Sequence, residues 1–137
     1  MSTTLLKEPT RQRPGSDHGD RSPASMQWVY GIIRPERLDA VRDALAQAGV
    51  GGVTVTEVRG FGRQKGQVEH YRGGTYTIRF IPKVRIELAV QASQVDDVLK
   101  AIAASAKTGQ VGDGKVFVMD LQHVHRIRTG EQGTVAL

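Results

Sequence analysis

Apolar and polar residues alternate along four stretches of the chain, and this alternation predicts β-strands with one buried face. The four stretches are residues 27–33, 53–58, 77–90 and 115–121. Pro82 lies inside the third stretch. Because proline has no backbone N–H to donate, we predict a bend or bulge at that point.

Two other stretches repeat their apolar residues every three or four positions, which predicts amphipathic helices. The first helix is predicted after Pro35, since proline suits the first turn of a helix, and it ends at Gly49. The second is predicted from Ser93, with Asp96 three residues on as its capping-box partner. The resulting order, β-α-β-β-α-β, predicts an α+β, ferredoxin-like sandwich in which both helices cover one face of an antiparallel sheet.

A long connector, at about residues 60–76, joins the second and third predicted strands. It far exceeds a hairpin turn, and loops of this length are usually functional or disordered. Gly62 and Gly66 allow close backbone approach, while Arg63 and Lys65 supply positive charge for an anion. A flexible, solvated hairpin explains the same composition, so both interpretations stand at this point.

The composition bounds the class of protein. The 137 residues suffice for one domain with a core, and 39% hydrophobic and 24% charged residues are typical of a soluble globular protein. The absence of cysteine excludes disulfides, thiolate metal sites and cysteine nucleophiles. The net charge of +5 favours anionic partners. Apolar stretches are too short for a membrane span.

The N-terminal segment differs from the rest of the chain. Residues 1–25 hold three of the five prolines and few apolar residues, which predicts a disordered tail. The folded domain is expected over residues 26–137. Met26 stands at this boundary and is an alternative start of the protein.

A second glycine-rich segment, residues 108–115, precedes the last predicted strand. Its backbone N–H groups could converge on phosphate oxygens, and Lys115 adds positive charge. It is not a Walker motif, because no helix follows it. An ordinary turn from helix to strand explains Gly109 and Gly112 equally well.

Further candidate residues lie near the C-terminus. Arg126 and Arg128 alternate along a strand-like segment, so we predict that both guanidinium groups share one face and could bind a polyphosphate. A solvated strand edge is the alternative. His123 and His125 also share a face, but a third metal ligand at useful spacing is lacking. Neither a G-x-S-x-G serine nor a carboxylate pair indicates an enzyme.

Six segments together resemble the PII family of nitrogen-regulatory signal proteins. They are IIRPERLDAVRDAL, GGVTVTEVRGFGRQKG, YRGGTY, FIPKVRIEL, TGQVGDGKVFV and RIRTGE, and the resemblance extends from residue 26 to residue 131. It implies a ferredoxin-like homotrimer with ATP or ADP in the clefts between subunits. It also implies that 2-oxoglutarate binds beside Mg-ATP and that the long loop changes shape in response.

The resemblance also assigns site residues by position. The implied nucleotide-binding residues are Thr54, Gly62, Arg63, Gln64, Ala89, Gly112, Asp113, Gly114, Lys115, Arg126 and Arg128. The implied 2-oxoglutarate-binding residues are Gly62, Gln64, Lys65, Gly66, Lys83 and Gly112. Gln64 would ligate Mg²⁺ together with the ATP phosphates and 2-oxoglutarate. Tyr76 matches the loop tyrosine that a partner enzyme uridylylates or adenylylates.

The resemblance therefore implies a non-enzymatic sensor of nitrogen, carbon and energy status in the cytoplasm. Its expected targets are nitrogen-assimilation enzymes, a nucleotidylyltransferase or adenylyltransferase, a sensor kinase and an ammonium channel. Membrane contact is expected only through the channel, and nucleic acid is not an expected partner. A basic ferredoxin-like nucleic-acid-binding module is the main alternative, although aromatic residues make up only 5% of the chain. A small nucleotide-hydrolysing enzyme is the second alternative function.

Overall fold

Six strands and two α-helices follow one another in the computed structural model, which describes residues 24–62, 69–70, 76–77 and 79–137. Their bounds are β1 Met26–Ile33, α1 Leu38–Gln47, β2 Thr54–Gly60, β3 Glu69–His70, β4 Tyr76–Thr77, β5 Ile81–Gln91, α2 Val95–Ala106 and β6 Lys115–Asp120. Short 3-10 helices also occur in the described chain, at Pro35–Arg37, Ala92–Gln94 and Gly133–Ala136.

The main sheet has four antiparallel strands in the order β2-β5-β1-β6. In the centre, Val29 of β1 pairs with Leu88 of β5 on one side and with Val118 of β6 on the other. β2 pairs with the outer side of β5, and Thr54 stands opposite Glu87. This topology confirms the predicted α+β, ferredoxin-like fold.

The core lies between one face of the sheet and the two helices. Because side chains alternate along a strand, every second residue of β1 and β5 faces the helices. These residues pack with Val41 and Leu45 of α1 and with Val98 and Ile102 of α2. Burying each such side chain stabilises the fold by about 1.5–3 kcal/mol. The opposite face of the sheet, which we call the open face, carries no helix among the described residues.

The bend or bulge predicted at Pro82 is not found. β5 begins at Ile81, and the pairs Arg59 with Pro82 and Gly60 with Ile81 continue the register without interruption. β1 pairs with β5 only from Val84 onwards. Among the described residues, β5 therefore has a neighbouring strand on one side alone near Pro82, so the missing donor can be tolerated.

The start of the second helix also differs from the prediction. The capping box is formed by Gln91 and Gln94, and the backbone N–H of Gln91 donates to Oε1 of Gln94 at 3.1 Å. The predicted box of Ser93 and Asp96 is wrong, because the chain makes a 3-10 turn before α2 and so places the helix start two residues later.

The long connector is described only in part. β3 pairs with β4, with Glu69 opposite Thr77 and His70 opposite Tyr76, so the predicted third strand is divided between β4 and β5. The predicted site residues Arg63, Gln64, Lys65 and Gly66 lie outside the described residues, as do residues 1–23. None of the helices described is long and apolar enough to cross a membrane.

Candidate functional site

A cleft of about 630 Å³ lies at the base of the long connector, and we call it the loop cleft. The ends of β2 and β5 form one wall, and the turn that precedes β6 forms the other. It brings together six residues predicted from the sequence: Gly62, Lys83, Gly112, Asp113, Gly114 and Lys115.

Lys83 is the central positive charge of the loop cleft. Its Nζ donates a hydrogen bond to the carbonyl oxygen of Gly112. Burial lowers the pKa of Lys83 below its ordinary value, and the neighbouring Arg34 lowers it further. A lysine whose charge is incompletely solvated is stabilised by an anion beside it. The loop cleft is therefore suited to a negatively charged ligand.

Asp113 organises the turn before β6 from within. Its carboxylate accepts hydrogen bonds from the hydroxyl and backbone N–H of Thr108, from the backbone N–H of Gly109 at 2.9 Å, and from Nε of Arg34 at 3.0 Å. The two bonds from Thr108 are the main reason that the pKa of Asp113 lies well below its usual range. The side chain is thus engaged within the protein, which leaves a contact with a ligand to the backbone of the turn.

Gly114 fixes the turn against the end of β1. Its φ is +97°, and a Cβ atom at this position would lie 1.6 Å from the carbonyl oxygen of Ile32. Gly112 also has a positive φ, of 104°. Both glycines are therefore required by the geometry of the turn. The positive φ of Gly112 is also what an ordinary turn requires, whereas Gly114 is required in addition by its close approach to β1.

A second cleft, of about 610 Å³, lies beside the C-terminus, and we call it the C-terminal cleft. It contains two further predicted residues, Ala89 and Arg126. Arg126 is half-buried, with Nη1 at 3.3 Å from Oε1 of Glu131 and Nη2 at 3.0 Å from the carbonyl oxygen of Leu137. A ligand phosphate here would compete with these two acceptors for the guanidinium group.

The prediction that Arg126 and Arg128 alternate along a strand is wrong. The chain reverses over residues 127–129, and the backbone N–H of Gly130 donates to the carbonyl oxygen of Arg126 at 2.8 Å. Gly130 has a φ of +73°, which allows this reversal. Arg128 is exposed on the turn, whereas Arg126 lines the C-terminal cleft.

Comparison with known proteins places the chain in one family, both by a family model and by individual relatives. The family model described as "Nitrogen regulatory protein P-II" matches residues 26–131. A nitrogen regulatory protein P-II from Rhizobium etli is 56% identical over 112 residues, which are 82% of this chain and 100% of that protein. The chain belongs to the P-II family. The match to this family of nitrogen regulatory proteins confirms the resemblance seen in the sequence.

Two further relatives extend the comparison. Nitrogen regulatory protein GlnK of Escherichia coli is 52% identical over 112 residues, which are 82% of this P-II chain and 100% of GlnK. A crystal structure of Arabidopsis thaliana PII bound to citrate superposes with a TM-score of 0.69 at 38% identity. The match covers 83% of this chain and 94% of the plant chain. The P-II fold therefore extends over nearly the whole described domain.

The two clefts of this P-II protein lie far apart within one chain. Lys83 in the loop cleft and Ala89 in the C-terminal cleft both point to the open face of β5. With a strand rise of about 3.3 Å per residue, the six-residue separation places them about 20 Å apart. Thr54, at the start of β2, is exposed and lines neither cleft. Those predicted nucleotide-binding residues that line a cleft are thus divided between the two clefts of one P-II chain.

The sequence analysis did not identify the residues whose hydrogen bonds support the turn before β6. The backbone N–H and hydroxyl of Thr108 both donate to Asp113, five positions on, and no sequence signal pointed to this contact. Arg34 is 79 positions from Asp113 along the chain, and no local pattern links them. Elsewhere, the rings of His123 and His125 lie 6.4 Å apart, but residues 79–137 and the other described parts contain no group of three potential metal ligands.

Proposed function

We propose that this P-II protein senses nitrogen, carbon and energy status by binding ATP or ADP and, together with Mg-ATP, 2-oxoglutarate. The observation that carries the proposal is the contact of Lys83 with the Gly112 turn at the base of the long connector. This contact puts a partly desolvated cation and a glycine-rich backbone turn beside each other. A dicarboxylate could bind the cation at one end and a nucleotide-bound metal ion at the other.

The described residues of the loop cleft offer Mg²⁺ few ligands of their own. Mg²⁺ prefers oxygen ligands and commonly takes most of them from phosphates and water. The carboxylate of Asp113 already accepts bonds from Thr108, Gly109 and Arg34, so it is not free for the metal. In our proposal, Gln64 supplies the protein ligand, while the ATP phosphates and 2-oxoglutarate supply the others.

We further propose that the nucleotide site is completed by a second copy of the chain in a homotrimer. The division of the predicted residues between two distant clefts supports this, because one nucleotide cannot reach both clefts of one chain. The open face supports the homotrimer as well. The large apolar side chains of Phe117 and Met119 on this face are 39% and 50% exposed in the single chain, and a second copy would cover them.

The long connector, at about residues 60–76, would carry the signal to target proteins. Because the loop cleft includes Gly60 and Gly62, a ligand there would favour some connector conformations over others, which is the requirement for a switch. The proposed targets are nitrogen-assimilation enzymes, a nucleotidylyltransferase or adenylyltransferase, a sensor kinase and an ammonium channel. We place the protein in the cytoplasm, with Tyr76 as the site of uridylylation or adenylylation.

Titration calorimetry tests the binding scheme. We expect 2-oxoglutarate to bind only when Mg-ATP is present. Lys83→Ala should lower the 2-oxoglutarate affinity at least about 30-fold, because a carboxylate would lose its partner charge, whereas ADP affinity should be retained. Lys100→Ala, at an exposed position of α2, is the matched control and should resemble the parent protein. Binding of 2-oxoglutarate without nucleotide, or equal affinities of the Lys83→Ala variant and the parent, would contradict the scheme.

A nucleic-acid-binding module remains the competing function. β1 presents Trp28 and Tyr30 on the open face, but the ring of Tyr30 stacks on Phe117 with centroids 4.7 Å apart, and β5 contributes no aromatic residue. A filter-binding assay with RNA and DNA at two salt concentrations separates the two functions. Tight binding that weakens steeply with salt would favour the nucleic-acid module. We expect only weak binding.

A further inference from the structure

Two phenylalanines meet where the long connector leaves and rejoins the sheet. The last pair of the ladder between β2 and β5 is Gly60 with Ile81, and Phe61 and Phe80 are the next residues on either side. Their ring centroids lie 5.3 Å apart, and the ring planes are at 82° to each other. The two ends of the connector are therefore joined by an edge-to-face aromatic contact.

This contact lies largely in solvent. Phe61 is 58% exposed and Phe80 is 59% exposed, so burial in the core does not hold the rings in place. The edge-to-face arrangement brings the positive edge of one ring to the negative face of the other, and it depends on the relative orientation of both rings. Any change in the separation of the two connector ends would therefore weaken the contact.

Only one of the two rings faces the loop cleft. Phe61 belongs to its lining, together with Lys83 and Gly112, whereas Phe80 does not. Phe61 gives the cleft an apolar part of its lining, and Lys83 gives it a charged part. A short dicarboxylate has methylene groups that suit the apolar part and carboxylates that suit the cation.

We propose that Phe80 is a positioning residue that holds Phe61 in the wall of the loop cleft and so couples ligand binding to both ends of the connector. The inference rests on the proposed function, because it assumes that a ligand enters this cleft. A ligand that contacts Phe61 fixes its ring, and the ring in turn fixes Phe80. The connector is then held at both ends rather than at the β2 end alone.

Hydrogen–deuterium exchange of the ligand-free full-length protein tests the positioning. A well-oriented aromatic pair shifts an equilibrium by roughly 2- to 10-fold, so amide exchange at Gly60 and Ile81 should accelerate by that factor in Phe80→Leu. Phe61→Leu should have a similar effect, and the double variant should add little, because the pair is already lost in either single variant. Phe80→Tyr keeps the ring and should exchange like the parent. Unchanged exchange in Phe80→Leu, or fully additive effects, would overturn the proposal.

Trypsin cleavage tests the coupling. The connector contains Arg63, Lys65 and Arg72 as cleavage sites, and the rate is measured with and without Mg-ATP and 2-oxoglutarate. In Phe80→Leu, the ligand-induced change in rate should fall at least about twofold, whereas Phe80→Tyr should keep it. ADP affinity of Phe80→Leu should equal that of the parent, because Phe80 lines neither cleft.

The outcomes separate this inference from the proposed function. If ligands change cleavage equally in the parent and in Phe80→Leu, the coupling through Phe80 is wrong and the proposed function stands. If ligands leave cleavage of the parent unchanged, the proposed function is contradicted and the coupling with it. Loss of the ligand response in Phe80→Leu alone, with faster exchange at Gly60 and Ile81, supports the inference.

Discussion

Arg34 joins the end of β1 to the turn before β6 through Asp113, with Nε of the arginine 3.0 Å from Oδ1 of the aspartate. Nη2 of the same guanidinium group donates to the carbonyl oxygen of Val111 at 2.7 Å. One side chain thus contacts both the backbone and the carboxylate of a single turn. The conformation of Gly112, which accepts the hydrogen bond from Lys83, therefore depends on Arg34.

We expect Arg34→Met to weaken anion binding in the loop cleft without removing a group that lines it. Loss of a charge-assisted hydrogen bond commonly corresponds to a change of about tenfold in an equilibrium, so 2-oxoglutarate affinity in the presence of Mg-ATP should fall by about that factor. Calorimetry provides the measurement. Arg42→Met is the control, because the ion pairs that Arg42 forms with Asp39 and Asp43 on α1 are exposed. If both variants bind equally well, Arg34 does not position the turn.

The acid stability of the domain should depend on Asp113. Its pKa is lower in the folded protein than in the unfolded chain, so its contribution to stability is present above the unfolded value of about 3.9 and is lost as the pH falls below it. Urea unfolding at about pH 5 and about pH 3 should show a smaller decrease in the free energy of unfolding for Asp113→Asn than for the parent. Equal decreases would show that the carboxylate does not contribute in this way.

The elements that the sequence predicts well are those with a local cause. Alternation in β1 and the apolar stripe of α1 depend on neighbours within a few residues. The bounds of β1 agree with the prediction to within one position, and α1 begins three residues after Pro35 because a 3-10 turn precedes it. The turn of Arg126 was predicted wrongly, because alternation over three residues does not distinguish a strand from a reversal that Gly130 permits. Arg34 could not be predicted as a partner of Asp113, because their contact arises only when β1 and β6 pair.

For the candidate site, the sequence predicted which residues belong to it but not what each of them contacts. The resemblance identified six residues of the loop cleft individually, but the role of Asp113 as an acceptor within its own turn is visible only in its hydrogen bonds. The separation of Lys83 from Ala89 by six strand positions could be counted from the sequence once both were assigned to β5. The spacing of about 20 Å between the two residues along β5 follows from that count.

Gly114 should tolerate no side chain. Alanine there would combine a φ of +97° with a Cβ only 1.6 Å from the carbonyl oxygen of Ile32, so the backbone of the turn or of β1 must move. We expect Gly114→Ala to lower the free energy of unfolding by about 3 kcal/mol or more. Gly51→Ala is the control, because nothing lies within 4 Å of its Cβ position, and its effect should stay within about 0.5 kcal/mol. Thermal or urea unfolding measures both, and similar stabilities would contradict the assigned geometry.

A site formed by two chains should be restored by mixing two inactive variants. Lys83→Ala lacks the cation of the loop cleft, and Arg126→Ala lacks the guanidinium group of the C-terminal cleft. In a mixed form of the proposed homotrimer, a Lys83→Ala subunit can contribute an intact C-terminal cleft to a neighbour whose loop cleft is intact. With random mixing of equal amounts, roughly one quarter of the sites should contain both groups.

The measurement is 2-oxoglutarate binding in the presence of Mg-ATP, after the two variants are produced together and after they are produced separately. Each variant alone should bind weakly, and the mixture should show a fraction of sites with the affinity of the parent. If both clefts had to come from the same chain, the mixture could not bind like the parent, because every chain in it has one altered cleft. Absence of restored sites in a mixture that has exchanged subunits would therefore contradict the shared site, whatever the oligomeric state.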